Sequence, residues 1–212
     1  MDIKLLKKDF WLAVLAGEIV AWLSLPTLKN LKILDLLARW GIGLKLFMFF
    51  WAFFIPIGAI SGLYLFYLIA KRKNKMGFLQ VGKYGIIGVL NTFLNAGIYN
   101  ILIFTTNIAS GLTVDLLFVI AFIITVTNSF FWNRYWTFEQ TGTETVGKDA
   151  FQFFFVSTVV AVINIGVLHI IVNVIGAPTG MDLRIWANIA LVFTIIIAFF
   201  GNFFGYKFLV FK

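Results

Sequence analysis

AFQFFFVSTVVAVINIGVLHIIVNVIG, residues 150–176, contains no Asp, Glu, Lys or Arg. A helix crosses the roughly 30 Å hydrocarbon core of a bilayer with about 20 apolar residues, so this run is long enough to span. Strands of a membrane barrel alternate polar and apolar side chains, and this run does not. An isolated strand would also leave its backbone groups unsatisfied in lipid. The same pattern continues on both sides, at about 79–105, 112–133 and 184–206 and, nearer the start, at about 10–25 and 44–70. Over the 212 residues, 61% are hydrophobic and 12% charged, with mean hydropathy +0.99. Soluble domains carry roughly 45–50% apolar and about 25% charged residues. The chain is therefore expected to be an all-α integral membrane protein with about six transmembrane helices.

The first run, Phe10–Leu25, is short for a span, holds Glu18, and is expected to end at Pro26. It lacks the small-residue cleavage site of a signal peptide before Pro26, and a second span follows soon after. Residues 27–45, TLKNLKILDLLARWGIGLK, read as a short helix at the membrane surface. The next run contains Pro56, which predicts a kink, and the cations of KRKNK, 71–75, close it. Residues 139–148, EQTGTETVGK, are the clearly hydrophilic loop. The net charge of +8 reads as membrane topology signal rather than nucleic-acid binding. Cations cluster in 71–83, are absent from 106–111, return at Arg134 and Lys148, and end the chain at Lys207 and Lys212. That alternation predicts a cell-membrane protein with residues 71–83, 134–149 and the C-terminus in the cytoplasm. Lys29, Lys32, Arg39 and Lys45 conflict with it if the first two runs both cross.

An offset of 73 residues lays the last four runs over one another as two pairs. Asn91 falls on Asn164, Asn100 on Asn173, and Arg134 on Lys207. SFFWNRYWTF (129–138) superposes on NFFGYKFLVF (202–211), each aromatic-rich with a cation at the same place. Two spans per copy make this a module of two parallel two-helix repeats.

These residues resemble the GtrA-like family of small membrane proteins, over roughly 77–212. The family's opening span and Asn-Thr pair correspond to GFLQVGKYGIIGVLNT (77–92), and its Asn-Phe-x-x-Asn-Arg-x-Trp-x-Phe ending to NSFFWNRYWTF (128–138). The later ending, GNFFGYKFLVF (201–211), departs from it at Tyr206 and Leu209, which predicts repeats of unequal function. The resemblance implies a flippase that moves a polyprenyl-monophosphate-linked monosaccharide across the cytoplasmic membrane for cell-surface polysaccharide or glycoconjugate synthesis. The alternative is a non-transporting membrane partner that anchors or organises a glycosyltransferase. Partners implied are the lipid-linked sugar, membrane lipids, a membrane glycosyltransferase and a second copy of the chain, with no nucleic acid and no cofactor. The domains are then residues 1–73, a two-helix extension, and 77–212, the four-helix module. Because the repeat is complete without the extension, a chain beginning at Lys75 is expected to insert and keep some activity.

A lipid-linked sugar phosphate asks for cations at its phosphate and for amides and hydroxyls at its sugar. Arg134, Lys207 and Lys83 lie at span ends and are the phosphate candidates, Arg134 first because a guanidinium grips phosphate bidentately. Each also fits a cation that merely reaches up to lipid headgroups. Asn91, Asn95, Asn128, Asn133, Asn164 and Asn202 form the candidate headgroup path, with helix-to-helix hydrogen bonding as the competing reading. His169 is the only histidine and has no carboxylate at helical spacing, so it reads as a structural hydrogen-bonding group. Glu18 is expected to pair with a cation on a neighbouring helix, and the G58-A-I-S-G62 pattern to pack closely against one. The module spans hold no Asp or Glu at mid-depth, which disfavours proton-driven export. The absence of cysteine excludes disulfides and thiolate metal sites. No catalytic set and no metal site is expected, and the chain is not expected to be an enzyme.

Overall fold

The computed structural model of the chain describes residues 3–139 and 146–205; for 146, 148, 149 and 199–205 it describes the backbone alone. All regular structure among the described residues is helical: α1 (Lys7–Asn30), α2 (Ile33–Arg39), α3 (Leu44–Lys73), α4 (Gly77–Thr106), α5 (Gly111–Trp132), α6 (Val146–His169) and α7 (Leu183–Gly205). Five spans are long and apolar enough to cross a membrane, and a shorter apolar stretch, Leu183–Ala198, lies in α7. The protein is therefore a multi-pass helical membrane protein. Of the stretch 27–45, read as one short helix, only Ile33–Arg39 forms a helix of its own, α2, which has no buried residue; 27–30 belong to α1 and 44–45 to α3.

Pro26 does not end the first helix, because α1 runs on to Asn30. A proline's fixed φ suits a helix; what it removes is one backbone donor, here only four residues from the end. The added turn makes α1 24 residues, about 36 Å at 1.5 Å per residue, which is spanning length. Pro56 likewise lies inside α3, which continues to Lys73. Asn74 then takes the left-handed conformation (φ 50°) that asparagine tolerates, and Lys75 N–H bonds back to the Ala70 carbonyl.

The chain divides into two compact units, Met1–Leu94 with Asn128–Thr141, and Asn95–Thr127 with Gly142–Lys212. In the first, α1 turns a stripe of small residues inward: Ala13, Ala16, Gly17, Val20, Ala21 and Ser24 are all buried. Such a stripe lets two backbones approach closely in lipid. A Cβ on Gly17 would stand 2.4 Å from Pro56 Cα, so only glycine fits there. The Trp51 indole donates to Ser24 Oγ at 2.8 Å along the same seam. Around Gly58 and Gly62, by contrast, a Cβ would meet nothing within 4 Å among the described residues, so no close packing is formed there between them. The close approaches fall instead at Gly17 and at Gly82, against Phe66.

Packing in this unit crosses the sequence boundary drawn at residues 73–77. Ile3 and Ala13 share one apolar cluster with Leu79, Ile87 and Trp136. In the second unit, Tyr99, Ile103, Leu117, Phe118, Leu168, Ala187 and Leu191 belong to one core. There Asn100 and Asn188, both fully enclosed, exchange two amide hydrogen bonds at 2.8 and 2.7 Å and tie α4 to α7.

Candidate functional site

The ending NSFFWNRYWTF leaves regular α-helix at its centre. After Trp132, residues Asn133–Thr137 form a π-helical turn, closed by Phe138 N–H on the Asn133 carbonyl at 2.9 Å. Such turns are rare and are frequent at functional sites. Arg134 lies in this turn and is buried, 4% exposed. Its neighbours hold the turn in place: Asn133 Nδ2 donates to the Ser129 carbonyl at 2.9 Å, and Thr137 Oγ1 donates to Asn133 Oδ1 at 3.3 Å. Asn128 Nδ2 donates to Asn91 Oδ1 at 3.0 Å, which ties the end of α5 to α4. Trp132 and Trp136 meet edge to face at 5.4 Å.

Lys83 was expected as a third phosphate cation, and its placement is different. Its Nζ lies 2.8 Å from Asp9 Oδ1 and 3.0 Å from Glu139 Oε1, with the lysine side chain only 3% exposed. The same Asp9 oxygen accepts from the Trp136 indole at 2.9 Å, and Asp9 Oδ2 accepts from the Leu6 N–H at 3.0 Å. A buried cation requires such partners, because removing its hydration costs several kcal/mol, of order, per ion. Burial raises the Glu139 pKa, but the hydrogen bond and charge of Lys83, joined by Lys8 at 3.4 Å, outweigh it and hold the carboxyl below its usual range. Asp9 could not be found by spacing, since it stands 127 residues from Trp136. The only hint is an acidic residue in the first turn of a largely apolar helix.

The remaining candidates separate. Asn95 is half-buried on α4, one turn beyond Asn91. Asn164, the repeat mate of Asn91, is 3% exposed and its Oδ1 has no hydrogen-bond partner among the described residues. Lys207 and the side chain of Asn202 lie outside the described residues, as does the second aromatic ending beyond residue 205. The expected equivalence of Asn100 and Asn173 is not kept in their contacts, because Asn100 bonds Asn188 whereas Asn173 bonds Gly111 and Asp115. Among the described residues Glu18 pairs with no cation; it accepts from Trp22 of its own helix at 3.0 Å.

His169 has the carboxylate that helical spacing could not supply. Its Nδ1 pairs with Asp115 Oδ2, contributed by α5. Asn173 Nδ2 lies 3.3 and 3.2 Å from the two oxygens of Asp115. Asn173 sits in a second π-helical turn, Ile170–Ile175, directly after His169. Asp115 lies four residues into α5, near its start, so the expectation of no carboxylate at mid-depth passed over it. It is nevertheless buried, 7% exposed. Among the described residues no group of His, Cys, Asp and Glu has the makings of a metal site.

Residues 83–211 match the family model described as GtrA/DPMS, transmembrane domain. No curated protein and no solved structure matches the chain.

Proposed function

Since the chain belongs to the GtrA/DPMS transmembrane family, we propose that it is a flippase for a polyprenyl-monophosphate-linked monosaccharide, working in the cytoplasmic membrane with its C-terminus inside. The observation that carries this reading is Arg134, buried within a π-helical turn at the end of α5. A buried arginine is well suited to an anionic headgroup, because a charge-assisted bond strengthens where water is excluded. Headgroup entry requires this end of the span to open, and a π turn is a place where the regular backbone ladder is already interrupted. Lys207 is the second phosphate-binding cation of the proposal. Lys83 is assigned to holding α1 against the module, since two carboxylates already neutralise it. Asn91, Asn95, Asn128, Asn133, Asn164 and Asn202 remain the proposed sugar path, and no catalytic step is assigned to this chain.

A second reading, a partner that anchors a membrane glycosyltransferase, is favoured by α3. Only 11% of its apolar window is buried, against 33–39% for the other long spans. Purified protein in vesicles with labelled polyprenyl-phosphate sugars separates the two. Movement of the lipid by the protein alone supports the flippase. Movement or sugar transfer seen only with an added glycosyltransferase, and none without it, replaces it with the anchoring role.

A further inference from the structure

The second unit holds an ionisable cluster that the proposed phosphate site does not use. Asp115, His169 and Asn173 come together from α5 and the end of α6, next to Gly111. Asn173 closes the arrangement by accepting the Gly111 N–H and donating to the Gly111 carbonyl at 3.3 Å. Ionisable groups inside spans are costly and mark substrate or ion pathways by default. The neutral pair Asn100–Asn188 already joins two helices of this unit without a charge.

The direction of the imidazole suggests what the cluster is for. Nδ1 faces the Asp115 carboxylate, and Nε2 makes no hydrogen bond among the described residues. The histidine side chain is 39% exposed while that of Asp115 is 10% exposed, so the ring is presented and the carboxylate is behind it. With its proton on Nδ1 toward the carboxylate, the ring offers Nε2 as an acceptor. The carboxylate and the Asn173 amide, 3.1 Å away, both flank Nδ1, so Nε2 faces away from them as an acceptor that the one donor of a hydroxyl can meet. Both the histidine and the asparagine flank or occupy a π-helical turn.

We propose that His169, aimed by Asp115 and Asn173, binds a hydroxyl of the sugar headgroup. This rests on the reading that the substrate is a lipid-linked sugar. Asp115 is then a positioning residue.

The test is binding to protein in nanodiscs of polyprenyl-phosphate glucose, galactose and mannose, each compared with bare polyprenyl phosphate, with thermal stability recorded for every variant. The parent is expected to prefer at least one sugar lipid over the bare phosphate. His169→Ala is expected to lower that sugar-lipid affinity about tenfold, the order of one hydrogen bond, and leave the bare phosphate unchanged. Asp115→Asn is expected to erode the same preference. His169→Gln supplies the comparison if the alanine variant does not fold, with part of the preference retained. Folded His169 variants that keep the full sugar preference, or lose both lipids equally, overturn this inference alone. A parent that binds bare phosphate as well as every sugar lipid also overturns it. A parent that binds none of the lipids overturns the flippase reading with it.

Discussion

Arg134 and Lys83 are both buried cations in the first unit, and each carries its own prediction. If Arg134 grips phosphate, Arg134→Ala should weaken binding of a polyprenyl-phosphate sugar by about one to two orders of magnitude. A hydrogen bond to a charged group contributes roughly 1.5–3 kcal/mol, and each 1.4 kcal/mol is about a factor of ten. Arg134→Lys should recover only part, because the bidentate fork is lost. Full substitution by Lys, or parent-like binding by a folded Arg134→Ala, would leave Arg134 as a headgroup anchor only. Lys83 should behave as a structural ion. Asp9→Ala removes its 2.8 Å partner and the acceptor of the Trp136 indole. Breaking one side of a buried pair costs about 3–5 kcal/mol, whereas replacing both partners with apolar groups is far milder. Thermal unfolding in detergent should therefore show Asp9→Ala well below parent and the Asp9→Leu/Lys83→Met double variant above it. Equal losses in the two would count against the buried-pair reading.

Between elements, the contact of α1 with α3 depends on a missing side chain. The Cβ of Gly17→Ala would stand 2.4 Å from Pro56 Cα and 2.9 Å from Pro56 N. Those are backbone atoms and cannot swing aside, so the helices must separate. Overpacking of this kind costs typically about 1–3 kcal/mol. Gly58→Ala meets nothing within 4 Å and should be neutral or slightly stabilising, since alanine is the better helix former. Melting temperatures of the two variants check this pair, and a Gly17→Ala protein as stable as Gly58→Ala would contradict the packing. Glycine spacing alone favoured 58–62; the partner's shape is what selects position 17.

For the molecule as a whole, the first 73 residues should not be dispensable. A chain beginning at Lys75 lacks Asp9, so Lys83 keeps only Glu139 of its two carboxylates and the Trp136 indole loses its acceptor. It should be markedly less stable than the full chain, and Lys83→Met should restore part of the loss. Detergent melting and protease resistance measure it; a truncated chain as resistant as the parent would show that the extension is only an addition. Topology is a separate expectation, carried by the lysine and arginine pattern. The chain has no cysteine, so Thr106→Cys and Thr141→Cys are clean probes. An impermeant thiol reagent outside cells should label the first and spare the second, and the reverse labelling would invert the orientation.

Composition and run length sufficed for an all-helical multi-pass protein, because lipid leaves a backbone few ways to satisfy its own polar groups. The ending 128–138 likewise pointed to the family by itself, since its residue types stand in a fixed order along one helix end. Only the tertiary structure decided what the polar residues touch. Asp9 with Lys83 and Trp136, and Asp115 with His169, are partners 54 to 127 residues apart. Helical periodicity relates residues three or four positions apart and carries no information at that range. The same limit hid the carboxylates that pair with Lys83 and with His169. A charge in an apolar run announces that it needs a partner; which partner depends on which helices pack together.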